Sequence, residues 1–260
     1  MQKLYPALML ALCANASFAY DDPRLGTKND VNAGVHFSHY VYEEPSVDVR
    51  IHGIRYGAEA EATGVFRNHQ FLRGQIKYSY GELVYSGSGN ATHNPDWYYD
   101  MRILTGKDLE MMCGVLAPYI GLGFRYLHDD LRGYTDIGAA GYRRFSHYYY
   151  LPVGLDYRFV NGTHPMDLNL EAGYMFYGRQ TSKFDDISAG FAVTLGEANN
   201  NQHGGFNLRT SLLVGIFCDW EVGPYATYWQ VEKSDLDGDF GAYEPENHTL
   251  EYGLKIVKHF

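Results

Sequence analysis

The last eleven residues, Leu250 to Phe260 (LEYGLKIVKHF), decide the fold. Apolar side chains fall on one parity of this stretch, and mostly polar ones fall on the other. A period of two sends successive side chains to opposite faces of a β-strand. The stretch is therefore predicted to be a strand with one apolar face and one polar face. Lys258 departs from the apolar parity, but a lysine near a strand end can extend its ammonium group to a polar interface.

The same alternation recurs along most of the chain. Tilted segments of about 9–11 residues are long enough to cross a bilayer, and most of the segments found here are close to that length. The pattern predicts an all-β chain of about ten antiparallel strands. These predicted strands are residues 31–41, 49–62, 70–83, 97–103, 118–126, 149–159, 166–176, 206–216, 220–228 and 250–260.

The connections between these strands alternate in length. Short turns are predicted near Gly64, Lys107, Asn161 and Asp219, whereas long polar connections are predicted near Gly87, Thr135, Asn199 and Asp237. The first connection, near Pro45, is a short exception on the long-loop side. Specific predictions are an exposed loop from Ser86 to Asn90, a Gly-rich loop from His128 to Gly141, and an extra extended piece from Ile187 to Leu195 within the interruption Arg179 to Gly205.

An even number of alternating strands that ends on Phe260 resembles the small Gram-negative outer-membrane β-barrel proteins, both OmpA/OmpX-type and porin-like. The resemblance implies a single antiparallel transmembrane barrel with short periplasmic turns and longer extracellular loops. It also implies that the barrel-assembly machinery reads the C-terminal strand and its Phe260. Outer-membrane lipid and lipopolysaccharide are the partners that it implies for the outer surface.

The N-terminus and composition agree with a secreted barrel. Residues 1–19 are predicted to be a cleaved signal peptide, because Lys3 precedes a short apolar run and Ser17 to Ala19 supplies small residues. Leu12 before Cys13 argues against a lipoprotein. Residues 20–260 then form one barrel domain, whose excess of acidic residues argues against a nucleic-acid partner. A soluble, Tyr-rich β-sandwich is the rival interpretation of the 24 Tyr, the 29 Gly and the mean hydropathy of −0.34.

Charged residues on the polar parity are predicted to face the lumen. Buried charges have to be paired, so a filled, ion-paired lumen is the favoured prediction, and a narrow selective channel is the alternative. The predicted inward residues are Arg55, Glu59, Glu61, Arg73, Lys77, Asp100, Arg102, Arg125, Asp156, Arg158, Asp167, Glu171, Arg209, Glu221, Glu251 and Lys255.

Several residues have side chains suited to chemistry. His128, Asp129 and Asp130 form one run, and Asp96, Asp185, Asp186 and His203 lie near the loops. The strand number resembles that of the omptin outer-membrane proteases, which use acidic residues and a His on their outer rim, but the spacing matches no omptin motif. His36 and Ser38 resemble the His and Ser pair of lipid A deacylases and are predicted to share the inner face. No catalytic, cofactor-binding or metal residue is assigned.

Two further features remain open. Asp235, Asp237 and Asp239, with Gly238 between them, resemble a fragment of a calcium loop, and a merely acidic loop is the favoured interpretation. Cys113 and Cys218 are predicted to be periplasmic, where one disulfide between them is an alternative to two thiols. The favoured function is a structural or surface-interaction barrel with an extracellular ligand at its loops. A rim enzyme using His128, Asp185 or His203 and a narrow channel are the alternatives.

Overall fold

The structure is a computed structural model that describes residues 24–190, 195–217 and 219–260. The predicted signal peptide lies outside these residues. The described part contains no helix that is long and apolar enough to span a membrane. It contains twelve strands: β1 (Asp30–Glu44), β2 (Val49–Val65), β3 (Gln70–Gly87), β4 (Gly89–Lys107), β5 (Leu109–Met111), β6 (Gly114–Tyr134), β7 (Ala140–Asn161), β8 (His164–Lys183), β9 (Glu197–Gln202), β10 (Gly205–Phe217), β11 (Trp220–Val231) and β12 (Asn247–His259).

Ten of the strands close into a ring. The hydrogen-bonded order is β1-β2-β3-β4-β6-β7-β8-β10-β11-β12, and β12 returns to β1 with Leu254 opposite Phe37. Every pairing is antiparallel. The short strand β5 pairs only with β6, and β9 pairs with the end of β8. The predicted closed barrel of about ten antiparallel strands is confirmed.

The barrel is apolar outside and charged inside. Leu122 is 62% exposed and Leu254 is 59% exposed, whereas Arg55 is 0% and Glu251 is 2% exposed. A soluble β-sandwich buries its apolar face and exposes its charges, so the sandwich interpretation is wrong. An apolar outer wall with no open sheet edge is what a barrel in lipid requires.

Aromatic rings mark the two borders of the apolar wall. At one border, Trp97 stands at the centre of a group of rings and packs against Tyr78, Tyr99, Tyr126 and His128 at centroid distances of 5.2–6.3 Å. We call this group, continued by Tyr56 and Tyr80 on one side and by Phe124, Tyr149 and Tyr177 on the other, the outer girdle. Phe217, Trp220 and Phe260 lie at the opposite border.

Lys258 lies at that second border, and its surroundings explain why a lysine can occupy a position of the apolar pattern. Its Nζ is 3.2 Å from Asp219 Oδ2 and lies over the Trp220 ring. The ammonium therefore leaves the apolar wall for the polar edge, as the sequence predicted. We call this end, which holds both termini of the barrel, the terminal end, and we call the opposite end the loop end.

Three loop predictions were wrong. Strands β6 and β7 extend to Tyr134 and from Ala140, so the predicted Gly-rich loop shrinks to residues 135–139, and the loop predicted at Ser86 to Asn90 is a tight turn at Ser88. The ladders continue above the lipid, where both faces meet polar surroundings and the apolar alternation disappears. Ile187 lies in a 3-10 segment, Phe184–Gly190, and the extra strand is β9 instead; residues 191–194 lie outside the described part.

Candidate functional site

In the half of the lumen nearer the terminal end, ion pairs surround a small cavity. Lys255 Nζ is 3.0 Å from Glu59 Oε1, and Arg73 Nη1 is 2.8 Å from Asp156 Oδ2. The space between these groups is a cavity of about 150 Å³, and it adjoins a vestibule of about 900 Å³ at the terminal end. This half of the lumen is therefore lined by charged groups and is not completely filled by side chains.

A second layer of charge crosses the middle of the lumen. Arg209 Nη2 donates to Asp100 Oδ2 at 2.6 Å, and Arg102 Nη1 donates to Glu171 Oε2 at 2.7 Å. The Tyr150 hydroxyl donates to Asp100 Oδ1 at 2.8 Å. All sixteen charged residues predicted to face inward are buried or half-buried. The ion-paired interior that the sequence predicted is present.

Aromatic side chains fill the lumen above this layer. Trp229 reaches from β11 to Tyr148 and Tyr150 of β7, with ring centroids 5.9 and 5.1 Å apart. The Arg125 guanidinium lies over the rings of Tyr98 and Trp229 at 4.2 and 5.0 Å. These four rings are at most 6% exposed. Because they meet across the lumen, they form a plug, which we call the aromatic plug and define as Tyr98, Arg125, Tyr148, Tyr150 and Trp229.

Charged groups converge again at the loop end, inside the barrel mouth. Arg144 Nη1 lies 2.7 Å from Glu44 Oε1 and 3.5 Å from Glu244 Oε1, and its Nη2 lies 3.2 Å from Asp129 Oδ2. Asp96 lies opposite Asp129 in the β4–β6 pairing and pairs with Arg55. We call this group the outer cluster; its members are Tyr42, Glu44, Arg55, Asp96, Asp129, Arg144 and Glu244. Of these, the sequence analysis singled out Arg55, Asp96 and Asp129.

Strand alternation divides the run from His128 to Asp130. The His128 ring packs on the outside against Phe145 and Trp97, at 4.7 and 5.2 Å. Asp129 points inward into the outer cluster, and Asp130 forms a two-bond pair with Arg132. Consecutive strand residues face opposite sides. The three side chains therefore do not form one site.

The other rim residues are mostly structural. Asp185 accepts a hydrogen bond from the Gly196 amide, and Asp186 forms a two-bond pair with Arg143. His203 Nε2 lies 2.8 Å from Asp235 Oδ2, and both side chains are well exposed. Among the described contacts, none joins His128, Asp185 and His203 to one another. The structure thus supplies one exposed His and Asp pair.

The residues of the remaining candidate motifs make structural contacts within the protein. His36 and Ser38 do share the inner face, but His36 hydrogen-bonds to Ser79 at 3.3 Å and lies deep in the filled lumen. Asp237 accepts from the amides of Asp239, Phe240 and Asn199, which shapes the acidic loop. No group of three or more metal-ligating side chains converges within the described ranges. Cys218 lies outside them, so the disulfide stays a prediction.

Solved structures provide the comparison. The outer membrane protease OmpT from Escherichia coli is 10% identical, with a TM-score of 0.51 and coverage of 95% of this chain and 100% of OmpT. The β domain of the Bordetella autotransporter BrkA is 9% identical, with a TM-score of 0.45 and coverage of 90% and 100%. Neisserial surface protein A is 10% identical, with a TM-score of 0.35 and coverage of 88% and 97%. No protein-family model matches the chain, and no curated protein matches its sequence.

The closed ring, its apolar outer wall, its aromatic borders and the likeness to OmpT define the class: the chain is an outer-membrane β-barrel. Its single ring of ten strands, with both ends of the chain on one side, is consistent with the OmpA/OmpX type. The terminal end then faces the periplasm, and the loop end faces the exterior.

Proposed function

We propose that this barrel acts through its external surface, as a structural and surface-interaction protein with a plugged lumen. The single observation that carries the proposal is the aromatic plug, whose rings from β4, β7 and β11 meet across the lumen. The outer cluster lies above the plug. Two filled layers leave the exterior as the part of the molecule that can meet a partner.

The external segments carry the net charge of the protein. Residues 42–52, 82–96, 128–146, 179–205 and 230–248 contain seventeen Asp and Glu against seven Lys and Arg. The rest of the chain contains fourteen of each. A one-sided negative field attracts cationic partners and repels anionic ones. The favoured partner is therefore a basic macromolecule, and lipopolysaccharide contact belongs to the lipid-facing wall.

Apolar side chains stand at the tips of the external segments. Tyr134 is 72%, Ile137 is 75% and Leu236 is 66% exposed. The tips are also held in place, since Asp136 accepts from the backbone and side-chain amides of Asn90 at 2.7 and 3.0 Å. Fixed apolar side chains lose little entropy on binding and supply the desolvated contacts of an interface.

Adhesion of cells that display the protein tests the proposal. Wild-type cells should bind poly-lysine-coated surfaces better than polyglutamate-coated ones, with strong salt dependence. A variant carrying Ile137→Ser and Leu236→Ser should bind several-fold less, while Ile103→Ser on the lipid-facing wall should leave adhesion unchanged once surface display is matched. In planar bilayers the purified protein should show no conductance steps. Regular steps would instead support the channel alternative.

A rim enzyme is the second candidate, and the pair of His203 and Asp235 favours it. A carboxylate that orients an imidazole can make it a general base. If this candidate is right, His203→Ala abolishes hydrolysis of peptides or lipid A by the folded protein. His93→Ala is the matched control, because His93 forms a similar exposed pair with Glu82 at 3.0 Å. Equal activity of both variants, or none in wild type, would remove this candidate.

Assembly through the C-terminal strand is part of the same proposal. The Phe260 side chain is 76% exposed at the terminal end, and its amide donates to the Val31 carbonyl at 2.9 Å. An exposed terminal ring is accessible to the barrel-assembly machinery before closure. Phe260→Ala should therefore reduce the amount of protein inserted in cells by several-fold, while refolding of the purified chain into lipid vesicles stays close to wild type.

A further inference from the structure

One carboxylate enters the barrel mouth from an external loop. Glu244 belongs to the β11–β12 loop, residues 232–246, and only 6% of it is exposed. Its Oε1 lies 3.5 Å from Arg144 Nη1 and 3.3 Å from the Tyr42 hydroxyl. That nitrogen and that hydroxyl also bind Glu44, at 2.7 and 2.6 Å. Two carboxyl groups thus compete for the same two donors.

The outer cluster as a whole contains more acids than bases. Glu44, Asp96, Asp129 and Glu244 face two guanidinium groups, those of Arg55 and Arg144. Asp96 and Asp129 also lie opposite each other in the β4–β6 pairing, and burial, together with the Asp129 charge, raises the pKa of Asp96, so this pair keeps one proton. Tyr42 and Tyr142 border the group from β1 and β7 and are neutral. The cluster is therefore balanced only while it holds protons.

The remaining contacts of the loop are mostly with uncharged groups. The Glu244 amide donates to Ser234 Oγ at 2.7 Å, and the Asn200 side-chain amide donates to the carbonyls of Asp235 and Ala242. Charged groups around the loop on its outer side are His203 with Asp235, Glu246 with Gln230, His248 with Glu43, and Lys233 over Tyr243. Glu244 is the one acidic side chain of the described loop that reaches Arg144.

We propose that Glu244 is a proton-operated latch, which holds the β11–β12 loop over the barrel mouth while protonated and releases it on losing the proton. Loss of this proton while the loop is closed places a third negative charge against two guanidinium groups in a buried site. Like charges in such a site repel strongly, because water does not screen them. The loop can relieve this repulsion by withdrawing Glu244 toward solvent.

The direction of the pH effect follows from the surroundings of Glu244. Burial is the largest cause, and with the charges of Glu44 and Asp129 it outweighs the opposing effect of Arg144 and raises the pKa of Glu244 to about 8. An exposed Glu has a pKa of about 4.3. The closed state therefore binds a proton that the released state loses. The closed loop is fully stabilised at acidic pH, and this stabilisation is lost as the pH rises through about 8.

The latch would regulate the surface proposed above, and that role rests on the proposed function. Leu236 and Phe240 belong to the same loop and are 66% and 37% exposed. Movement of the loop would rearrange these apolar side chains. Loop opening itself requires no partner, so it can be measured separately from adhesion.

Hydrogen exchange of the full-length protein in lipid nanodiscs tests the latch. We expect protection factors of residues 232–246, corrected for intrinsic rates, to fall at least tenfold between pH 5 and pH 9. Glu244→Gln, which mimics the protonated side chain, should stay protected at pH 9. Glu246→Gln, two residues away and exposed, should behave as wild type.

A second variant keeps the test decisive if Glu244→Gln fails to insert. Glu44→Gln removes the charge that competes for Arg144 and the Tyr42 hydroxyl, so ionised Glu244 can remain in the closed site. The fall in protection between pH 5 and pH 9 should therefore be smaller in Glu44→Gln than in wild type. Protection that is independent of pH in wild type, or a Glu244→Gln variant that opens as wild type does, would overturn the latch. Opening without a change in adhesion would contradict the regulatory role of the latch, whereas loop opening in a protein that shows no adhesion at all would contradict the proposed function alone.

Discussion

Arg144 of β7 and Glu44 of β1 join opposite walls of the barrel, with Nη1 and Oε1 2.7 Å apart. Their strands stand five places apart in the ring in either direction. The two residues are separated by 100 positions in the chain. A contact across the full diameter depends on closure of the ring, since no open sheet brings these strands together. It also places a buried ion pair of the barrel mouth above the aromatic plug.

Replacing Arg144 should therefore destabilise the barrel. Arg144→Met leaves Glu44 and Asp129 buried without their shared cation, and breaking a buried pair in this way costs about 3–5 kcal/mol. Urea unfolding in lipid vesicles should show a free energy of unfolding lower by that amount. Arg132→Met is the control, because the Arg132 guanidinium is more than half exposed where it pairs with Asp130 and exposed ion pairs contribute little to stability. Equal losses in both variants would contradict the buried pairing.

Lys255 and Glu59 offer a test in the terminal half of the lumen. Their charged atoms are 3.0 Å apart, and both side chains are about four-fifths buried. Lys255→Met alone should destabilise the protein, because it leaves the Glu59 carboxylate buried without its ion-pair partner. Adding Glu59→Leu should recover much of the loss, since an apolar pair has no desolvation cost. A double variant whose loss equals or exceeds the sum of the two single losses would show that the pair does not interact as described.

Gly123 makes room for the aromatic plug. A Cβ at this position would overlap the Tyr150 ring, whose hydroxyl binds Asp100. Gly123→Ala should displace Tyr150 and lower the free energy of unfolding by about 1–3 kcal/mol, the usual cost of overpacking. Gly74→Ala is the matched control, because a Cβ there meets nothing within 4 Å. Near-ultraviolet circular dichroism should report the movement of Tyr150 in the first variant alone.

The three tryptophans should respond differently to lipid. Trp97 stands in the outer girdle and Trp220 at the opposite border, whereas Trp229 is 3% exposed inside the lumen. In single-Trp variants, brominated lipids should quench Trp97 and Trp220 strongly and Trp229 at least several-fold less. Quenching falls steeply with distance from the bromine atoms. Strong quenching of Trp229 would mean that its strand is oriented inside out.

Much of the barrel was predictable because a lipid-facing sheet repeats one simple rule. Residues such as Leu122 and Leu254 must face lipid at every second position, so alternation alone located the ten strands and placed Glu251 and Arg209 inside. The same rule failed above the outer girdle. There both faces of β6 and β7 meet polar surroundings, so the sequence showed a loop where the backbone continues as a ladder.

The site was less predictable, for a geometric reason. Asp96, Asp185 and His203 were sensible candidates by residue type, but the chain gives no information on which rim residues meet. Glu44, Arg144 and Glu244 were missed, although a buried Arg144 is signalled weakly by its inward parity beside Phe145. Their meeting requires strands from opposite walls and a loop folded between them.

The sequence by itself determined the number of strands, their faces, the charged lumen and the terminal Phe260, because each depends on the local alternation of side chains. Only the tertiary structure decided which charges pair, which aromatic rings meet inside the lumen, and that Glu244 reaches Arg144. Those features depend on ring closure, which brings together residues far apart in the chain. Alternation states which way a side chain points, and closure alone determines what it meets.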